Sequence, residues 1–349
     1  MPTRQSNIEL LRLLSMLMIV IFHFNGHALQ SGEILSSQWV AYNLTHTLTI
    51  TATSVFVLIS GYFGIHFKAK GLLNLYMRCF IWGLIGYLLY VVFTDNPLKL
   101  TTLAARVMPF THNKWWFIIT YLELYFLSPI LNAAIEMFDK KKHMFVILIF
   151  GFVTLYMGYC RETGEDTWGT SLSHFLWLYM IARYINKYVS HYVIQKHRWV
   201  WAAGFIVSSL ITFGLAALGA KVSIPVCLRA YPYCSPWVLM GALSLLLFAL
   251  SFTFESRVIN WFASSSLSAY LLQDSIYFGM GVLYPMAAVH LMSCALPMRY
   301  VSLIGISIAW LMSTCIVDKL WNVAIYKPIM RMYDYVYGKF IPNSLKLKM

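Results

Sequence analysis

Runs of mostly apolar residues, interrupted by charge, Pro or Gly clusters, recur ten times along the chain. They lie near residues 8–28, 40–63, 72–93, 115–135, 144–160, 171–188, 199–219, 235–254, 265–289 and 300–323. A helix rises about 1.5 Å per residue, so a run of about twenty matches the roughly 30 Å hydrocarbon layer of a bilayer. The pattern predicts an all-α polytopic membrane protein, a single bundle of about ten transmembrane helices with no soluble domain. The bundle is expected over residues 1–325. A basic, Tyr-rich cytoplasmic tail at 326–349 is expected to lie on the membrane surface with snorkelling Lys and Arg side chains. No internal repeat of the kind found in duplicated transporters is visible.

Composition agrees with this reading. A chain of 349 residues that is 60% hydrophobic and 11% charged has more apolar surface than a charged shell can cover in water. Its net charge of +13 would suggest nucleic acid in a soluble protein. Here the basic residues are dispersed in short loops and report topology instead. With the N-terminus in the cytoplasm, sixteen Lys and Arg fall inside and seven outside, while Arg12, Arg78 and Lys319 lie within spans, which accounts for all 26. The positive-inside rule therefore places both termini and the loops at Lys140 to Lys142 and Arg183 to Arg198 in the cytoplasm. The acidic stretch RETGEDTWG and the loop from Pro225 to Pro236 then face outward.

The basic start and the apolar run from Leu13 to Phe24 resemble a secretory leader. Glu9 and Arg12 inside the helical pattern, the lack of a small-residue cleavage site after His27, and the further spans argue for a retained first helix. Six cysteines show no metal-ligand spacing. Only Cys227 and Cys234 share a loop, where a disulfide and two free thiols are both open readings. No metal site is expected.

An ionisable group inside a span is costly unless paired or hydrated, so each is a functional candidate. The set is Glu9, Arg12, His23, His46, Arg78, Glu123, Asp274, Asp318 and Lys319. Glu9 is placed to pair with Arg12 at i, i+3, and Asp318 and Lys319 sit where they can snorkel to the inner surface. The first helix reads IELLRLLSMLMIVIFHF. Arg12 and His23 are eleven residues apart, which returns them to within about 20° of one face and about 16 Å apart along the axis. A guanidinium near the cytoplasmic end suits phosphate oxygens, and an imidazole deeper in the membrane suits proton transfer. The residues alone leave a second reading open: an interfacial anchor and a hydrogen-bonded bundle histidine.

The span from Arg12 to His23 resembles the Arg, ten residues, His pattern of the acyltransferase family 3 proteins. Further segments are similar in order: VFVLISGYF (55–63), WWFIITYLELYFLSPILN (115–132), LSHFLWLYMIARYI (172–185) and SSSLSAYLLQDSIYF (264–278). The resemblance covers nearly the whole chain. It implies a ten-helix membrane O-acyltransferase of the bacterial cytoplasmic membrane. Such an enzyme moves an acyl group, most simply acetyl, from acyl-CoA to a surface polysaccharide or lipid-linked glycan. Acetyl-CoA is then a substrate, with no tightly bound cofactor, and the partners are acyl-CoA, the glycan acceptor and membrane lipid, without nucleic acid. It implies further that His23 is the essential histidine and that Arg12 helps hold acyl-CoA. Two departures stand out. Gln273 replaces a His that many relatives carry after Tyr-Leu, and a paired-arginine motif is reduced to Lys68, Lys70 and Arg78, the remaining candidate donor contacts.

Around this pair, Glu123 is a candidate to orient His23 or the acceptor, or to pair with Arg78. Trp116, Tyr121 and Tyr125 are candidates to stack on sugar faces, although Trp115 and Trp116 also fit an interfacial aromatic belt. Asp274 is a candidate partner for a basic side chain. His46, in a Thr-rich run, reads more readily as a structural inter-helix contact. Two other functions remain open: a transporter or flippase of glycan or lipid precursors, and a polyprenyl-linked glycosyltransferase. The latter usually needs outer-loop carboxylates, of which the first outer loop offers only Glu33.

Overall fold

The computed structural model describes residues 5–112, 115–160, 168–222 and 229–340. Arg4, Lys114, Arg161, most of the acidic stretch, Pro225, Cys227, Lys346 and Lys348 lie outside these, and with Cys227 goes the expected pairing to Cys234.

Among the described residues the chain is helical, without strands. The helices are α1 (Ser6–Ala28), α2 (Ser37–Thr49), α3 (Ala52–Phe63), α4 (Ala69–Thr94), α5 (Leu100–Ala105), α6 (Pro109–His112), α7 (Trp116–Met137), α8 (Lys140–Phe152) and α9 (Leu172–Tyr188). There follow α10 (His191–Lys196), α11 (Arg198–Val222), α12 (Pro236–Leu250), α13 (Arg257–Ala263), α14 (Leu267–Gln273), α15 (Tyr284–Ser293), α16 (Leu296–Trp321) and α17 (Lys327–Phe340). Among the described residues, seven helical stretches are long and apolar enough to cross a membrane. Large apolar side chains such as Met137, Val289 and Leu320 stand exposed on the outside of the bundle, which suits lipid rather than water.

Three of the ten expected spans take a different form. The run at 171–188 is the 17-residue α9, and 235–254 is the 15-residue α12, opened by Pro236. The run at 265–289 is not one helix. It is α14, a break at Asp274 to Tyr277, a π-helical turn over Gly279–Leu283, and then α15. Gly279 explains the break, since a Cβ there would lie 1.9 Å from the Gln273 carbonyl oxygen. Backbone this irregular survives at membrane depth only where it is buried in protein or lines a cavity. The span at 40–63 is bent as well, with Ile50 and Thr51 separating α2 from α3.

α1 is the central strut. One apolar cluster joins its Met16, Val20 and Phe24 to Trp82 of α4, Leu271 of α14 and Leu311 of α16. A second joins its Ile8 and Leu11 to Leu58 of α3, Leu124 of α7 and Tyr179 of α9. Its start has no side-chain cap of its own. The 249–260 segment pins it instead: the Ser256 N–H donates to Ser6 Oγ at 2.8 Å, Ser6 Oγ donates to Asn260 Oδ1 at 3.0 Å, and Asn7 Nδ2 donates to the Ala249 carbonyl at 3.0 Å. Small residues let α3 and α9 meet closely. A Cβ at Gly61 would lie 2.9 Å from both the Tyr179 backbone and the Ala182 methyl.

Asp318 corrects an expectation. It does not snorkel. It is fully buried, paired with Arg78, and accepts from Trp82 Nε1 at 3.2 Å. Arg78 also donates to Asn74 Oδ1 at 2.9 Å and lies 4.9 Å over the Tyr326 ring. Lys319 donates to Ser264 Oγ and lies 5.1 Å over the Trp261 ring. Beyond α16 one π-helical turn leads into α17, so Leu296–Tyr337 forms a continuous stretch of 42 residues. At 1.5 Å per residue that is about 63 Å, well beyond a single bilayer crossing.

Candidate functional site

α1 brings the site together. The Arg12 guanidinium donates to Glu9 Oε1 at 3.0 Å, as the i, i+3 spacing predicts, and its side chain remains 35% exposed, so other donors stay open. Glu9 Oε2 is buried with no hydrogen-bond partner among the described residues.

Three turns further along, His23 lines a cavity with about 70 Å³ of free volume. Met16 and Ile19 line it from the same helix, with Thr53 and Phe56 from α3, Trp116 and Phe117 from α7, Tyr233 from the loop before α12, and Ser266, Leu267 and Tyr270 near the start of α14. The cavity lies where the bent second span and the broken ninth run meet α1. Tyr270 sits 6.0 Å from the His23 ring, centre to centre, and His27 sits 5.9 Å away on the next turn. The His23 Nδ1 atom is buried without a hydrogen-bond partner among the described residues. Gln273 is fully buried, and its Nε2 donates to the Val20 carbonyl at 3.1 Å, which ties the end of α14 to α1 beside His23.

A line of aromatic contacts leads from His23 back toward Arg12. Tyr270 meets Phe117 edge-on at 6.5 Å, and Phe117 stacks on Tyr121 at 5.9 Å with an interplanar angle of 22°. Tyr121 lies near Arg12, and its hydroxyl is 3.2 Å from Ser60 Oγ. Arg12 and His23 are thus linked by successive contacts through Tyr121, Phe117 and Tyr270, with Trp116 packed on Phe117 and Asp274 beside Tyr270 just past the end of α14.

The other candidates lie elsewhere. Glu123 points outward on the stripe with Phe126 and Ile130, and no cation pairs with it among the described residues. It does not line the His23 cavity, and Arg78 is engaged with Asp318 instead. Tyr125 braces the chain entering α4: its hydroxyl accepts from the Lys68 N–H at 2.8 Å and donates to the Lys68 carbonyl at 3.0 Å. The Lys68 side chain is exposed, while Lys70 pairs with Asp334 of α17 at 2.6 Å. His46 packs on Phe22, Tyr42 and Tyr231 outside the cavity, with centroid distances of 4.4, 6.2 and 4.5 Å. No cation lies within ion-pair distance of Asp274 among the described residues.

Reading the sequence by charge missed Phe117, Tyr270, Tyr233, Thr53 and Ser266, which carry no formal charge. Their signal is indirect, since Tyr270 and Ser266 fall in a Ser-rich stretch that interrupts an apolar run. Among the described residues no group of three or more His, Cys, Asp or Glu is arranged to hold a metal ion.

A family model described as an acyltransferase domain matches residues 5–316, nearly the whole chain. No curated protein and no solved structure matches.

Proposed function

The chain belongs to the acyltransferase domain family, and from that premise we propose that it transfers an acyl group, acetyl in the simplest case, from acyl-CoA to a hydroxyl of a cell-surface polysaccharide or lipid-linked glycan. It is a multi-pass membrane acyltransferase. Family membership makes it an acyltransferase, which sets aside both a pure carrier and a glycosyltransferase as the main reading.

One observation carries the proposal: one face of α1 holds a part-exposed Arg12 and, three turns on, a His23 that lines a small aromatic-walled cavity. In the proposed reaction Arg12 holds donor phosphate oxygens near the cytoplasmic side, with Lys68 and Lys70 as further basic groups at that end of the bundle. The pantetheine arm follows the Tyr121 and Phe117 surface toward His23. His23 accepts the proton of the acceptor hydroxyl as its oxygen attacks the thioester carbonyl. The C–S bond breaks, the CoA thiolate leaves, and the proton returns to it. General-base assistance of this kind contributes about 10² to 10⁴ in rate. Formation of an acyl-histidine, followed by transfer to the hydroxyl, uses the same geometry. Trp116, Phe117, Tyr233 and Tyr270 supply flat apolar faces for a sugar ring, and Thr53 and Ser266 supply hydroxyls to orient it.

The test is radiolabelled acetyl-CoA with detergent-purified protein and candidate lipid-linked glycans, alongside mass spectrometry of surface polysaccharide from cells with and without the gene. Label in the glycan and loss of an acetyl mass in the deletion are expected. Acceptor turnover with no consumption of thioester would reject the donor assignment.

A further inference from the structure

The Gln273 carboxamide has two polar ends, and its bond to α1 uses one of them. A backbone carbonyl oxygen can only accept, so the atom 3.1 Å from the Val20 carbonyl is the nitrogen, Nε2. The oxygen, Oε1, is the end left over, and it is buried without a hydrogen-bond partner among the described residues. His23 Nδ1 is buried in the same condition. The two atoms belong to neighbouring side chains, since the Gln273 side chain reaches the His23 imidazole. Helical side chains lean back over the preceding turn, so the His23 ring tilts toward Val20, where the carboxamide is pinned.

Of these two atoms, Oε1 can only accept, while Nδ1 donates or accepts according to where the ring carries its proton. Burying either one unpaired is unfavourable, and a single placement of the proton satisfies both. With Nδ1 protonated, the ring donates to Oε1. With Nδ1 bare, two sets of lone pairs face each other. Histidine left to itself favours the opposite form, protonated on Nε2, so a fixed acceptor at Nδ1 is what reverses that preference. The broken ninth run supplies the fixture. Gln273 is fully buried and ends α14, and its backbone carbonyl meets Gly279 so closely that a Cβ there would lie 1.9 Å away.

We infer that Gln273 Oε1 accepts a hydrogen bond from His23 Nδ1–H and so fixes the tautomer whose Nε2 lone pair faces the cavity. This rests on the reading of His23 as the reacting histidine. Gln273 does not itself line the cavity, which makes it a positioning residue. During transfer Nε2 takes the proton of the acceptor hydroxyl and later gives it up, while the Nδ1 proton stays on its bond to Oε1 throughout. On the acyl-histidine route Nε2 is likewise the atom that attacks the thioester carbonyl.

The experiment reads the tautomer directly. Nitrogen NMR spectra of wild type with isotope-labelled histidine rings, without substrate, are expected to show His23 protonated on Nδ1 and bare on Nε2. The His23 signals are those missing from His23→Gln. A bare Nδ1 overturns the inference and leaves acyl transfer untouched. Kinetics then separate the oxygen of Gln273 from its nitrogen. Gln273→Glu keeps an acceptor for the ring but, ionised, has no donor for Val20, whereas Gln273→Leu has neither. Gln273→Leu should show the opposite or a mixed tautomer and lose about tenfold or more in kcat, because the wrong tautomer offers the substrate an N–H in place of a lone pair. Gln273→Glu should restore much of that loss. Unchanged His23 signals in Gln273→Leu, or equal losses of kcat in the two folded variants, would make Gln273 a helix strut only and overturn the inference. If wild type consumes no thioester, the reading of His23 fails, and the role given to Gln273 falls with it whatever the spectra show.

Discussion

The Gln273 side chain donates to the Val20 carbonyl at 3.1 Å, three residues before His23 on α1. This bond joins the end of a broken helix to the strut that carries the imidazole. The Val20 carbonyl lies in the middle of a helix, where it is already an acceptor in the backbone ladder, so the contact adds position rather than satisfying an orphan.

Gln273 is therefore expected to be a positioning residue. Gln273→Leu keeps the side chain's approximate volume and removes the donor, and should lower kcat while leaving the KM for acetyl-CoA close to wild type. Loss of a buried neutral hydrogen bond costs about 1 kcal/mol, so folded protein should still be recovered. A raised donor KM with unchanged kcat would contradict this role.

A second prediction concerns the buried Arg78 and Asp318 pair, which bridges α4 and α16. Removing one partner of a buried ion pair leaves the other uncompensated, at a cost of about 3 to 5 kcal/mol. Arg78→Ala and Asp318→Ala should each sharply reduce folded protein in detergent. The double variant, which buries no lone charge, should recover part of the loss. If Arg78 instead contacted the donor, Arg78→Ala would fold normally and raise the KM for acetyl-CoA.

That pair also shows what sequence pattern can and cannot reveal. The all-helical membrane architecture and the shared face of Arg12 and His23 follow from local periodicity, because 3.6 residues per turn fixes which side chains align within one helix. Partners from different helices do not. Asp318 reads as a snorkelling residue because it lies near a helix end, and only the approach of α4 shows that it is buried. Tyr270 and Phe117 flank His23 through packing between helices distant in sequence. Gly279, by contrast, sits in an apolar run where glycine, Asp274 and Pro285 hint at a break, yet the run's length alone suggests a single span.

Topology gives a third prediction. By the positive-inside rule, the basic excess predicts that Lys140 to Lys142 and both termini lie in the cytoplasm. A reporter fused after Lys141 should read as cytoplasmic, and one in the loop near Trp168 as external. An external signal at Lys141 would reverse the bundle and put Arg12 on the side without acyl-CoA.

Arg12 carries the fourth. Its guanidinium has donors beyond the one spent on Glu9, and several of them are suited to phosphate oxygens, whereas lysine offers a point charge. Arg12→Lys should raise the KM for acetyl-CoA by roughly tenfold with little change in kcat, the signature of lost ground-state binding. A variant with unchanged KM but little folded protein would identify Arg12 as an anchor of the first helix.

The last prediction concerns His23, which lines the small cavity with one ring nitrogen lacking a hydrogen-bond partner among the described residues. A base or nucleophile needs a nitrogen lone pair, and a structural histidine needs only hydrogen bonds. Glutamine separates the two roles, because its amide can replace a hydrogen bond but cannot accept a proton at neutral pH. If His23 acts in the chemical step, His23→Ala and His23→Gln should both lose at least about 10² of the turnover per mole of folded protein. Acetyl-CoA binding should survive in both, since the proposed phosphate contacts are at Arg12, three turns away. If His23 is only a bundle contact, glutamine should restore much of what alanine loses, and both activities should follow the amount of stably inserted protein. The measurements are acetyl transfer and donor binding on the same purified samples. Substantial turnover by the His23→Gln enzyme would remove His23 from the chemistry, whereas intact donor binding without turnover would assign it to the acyl transfer itself.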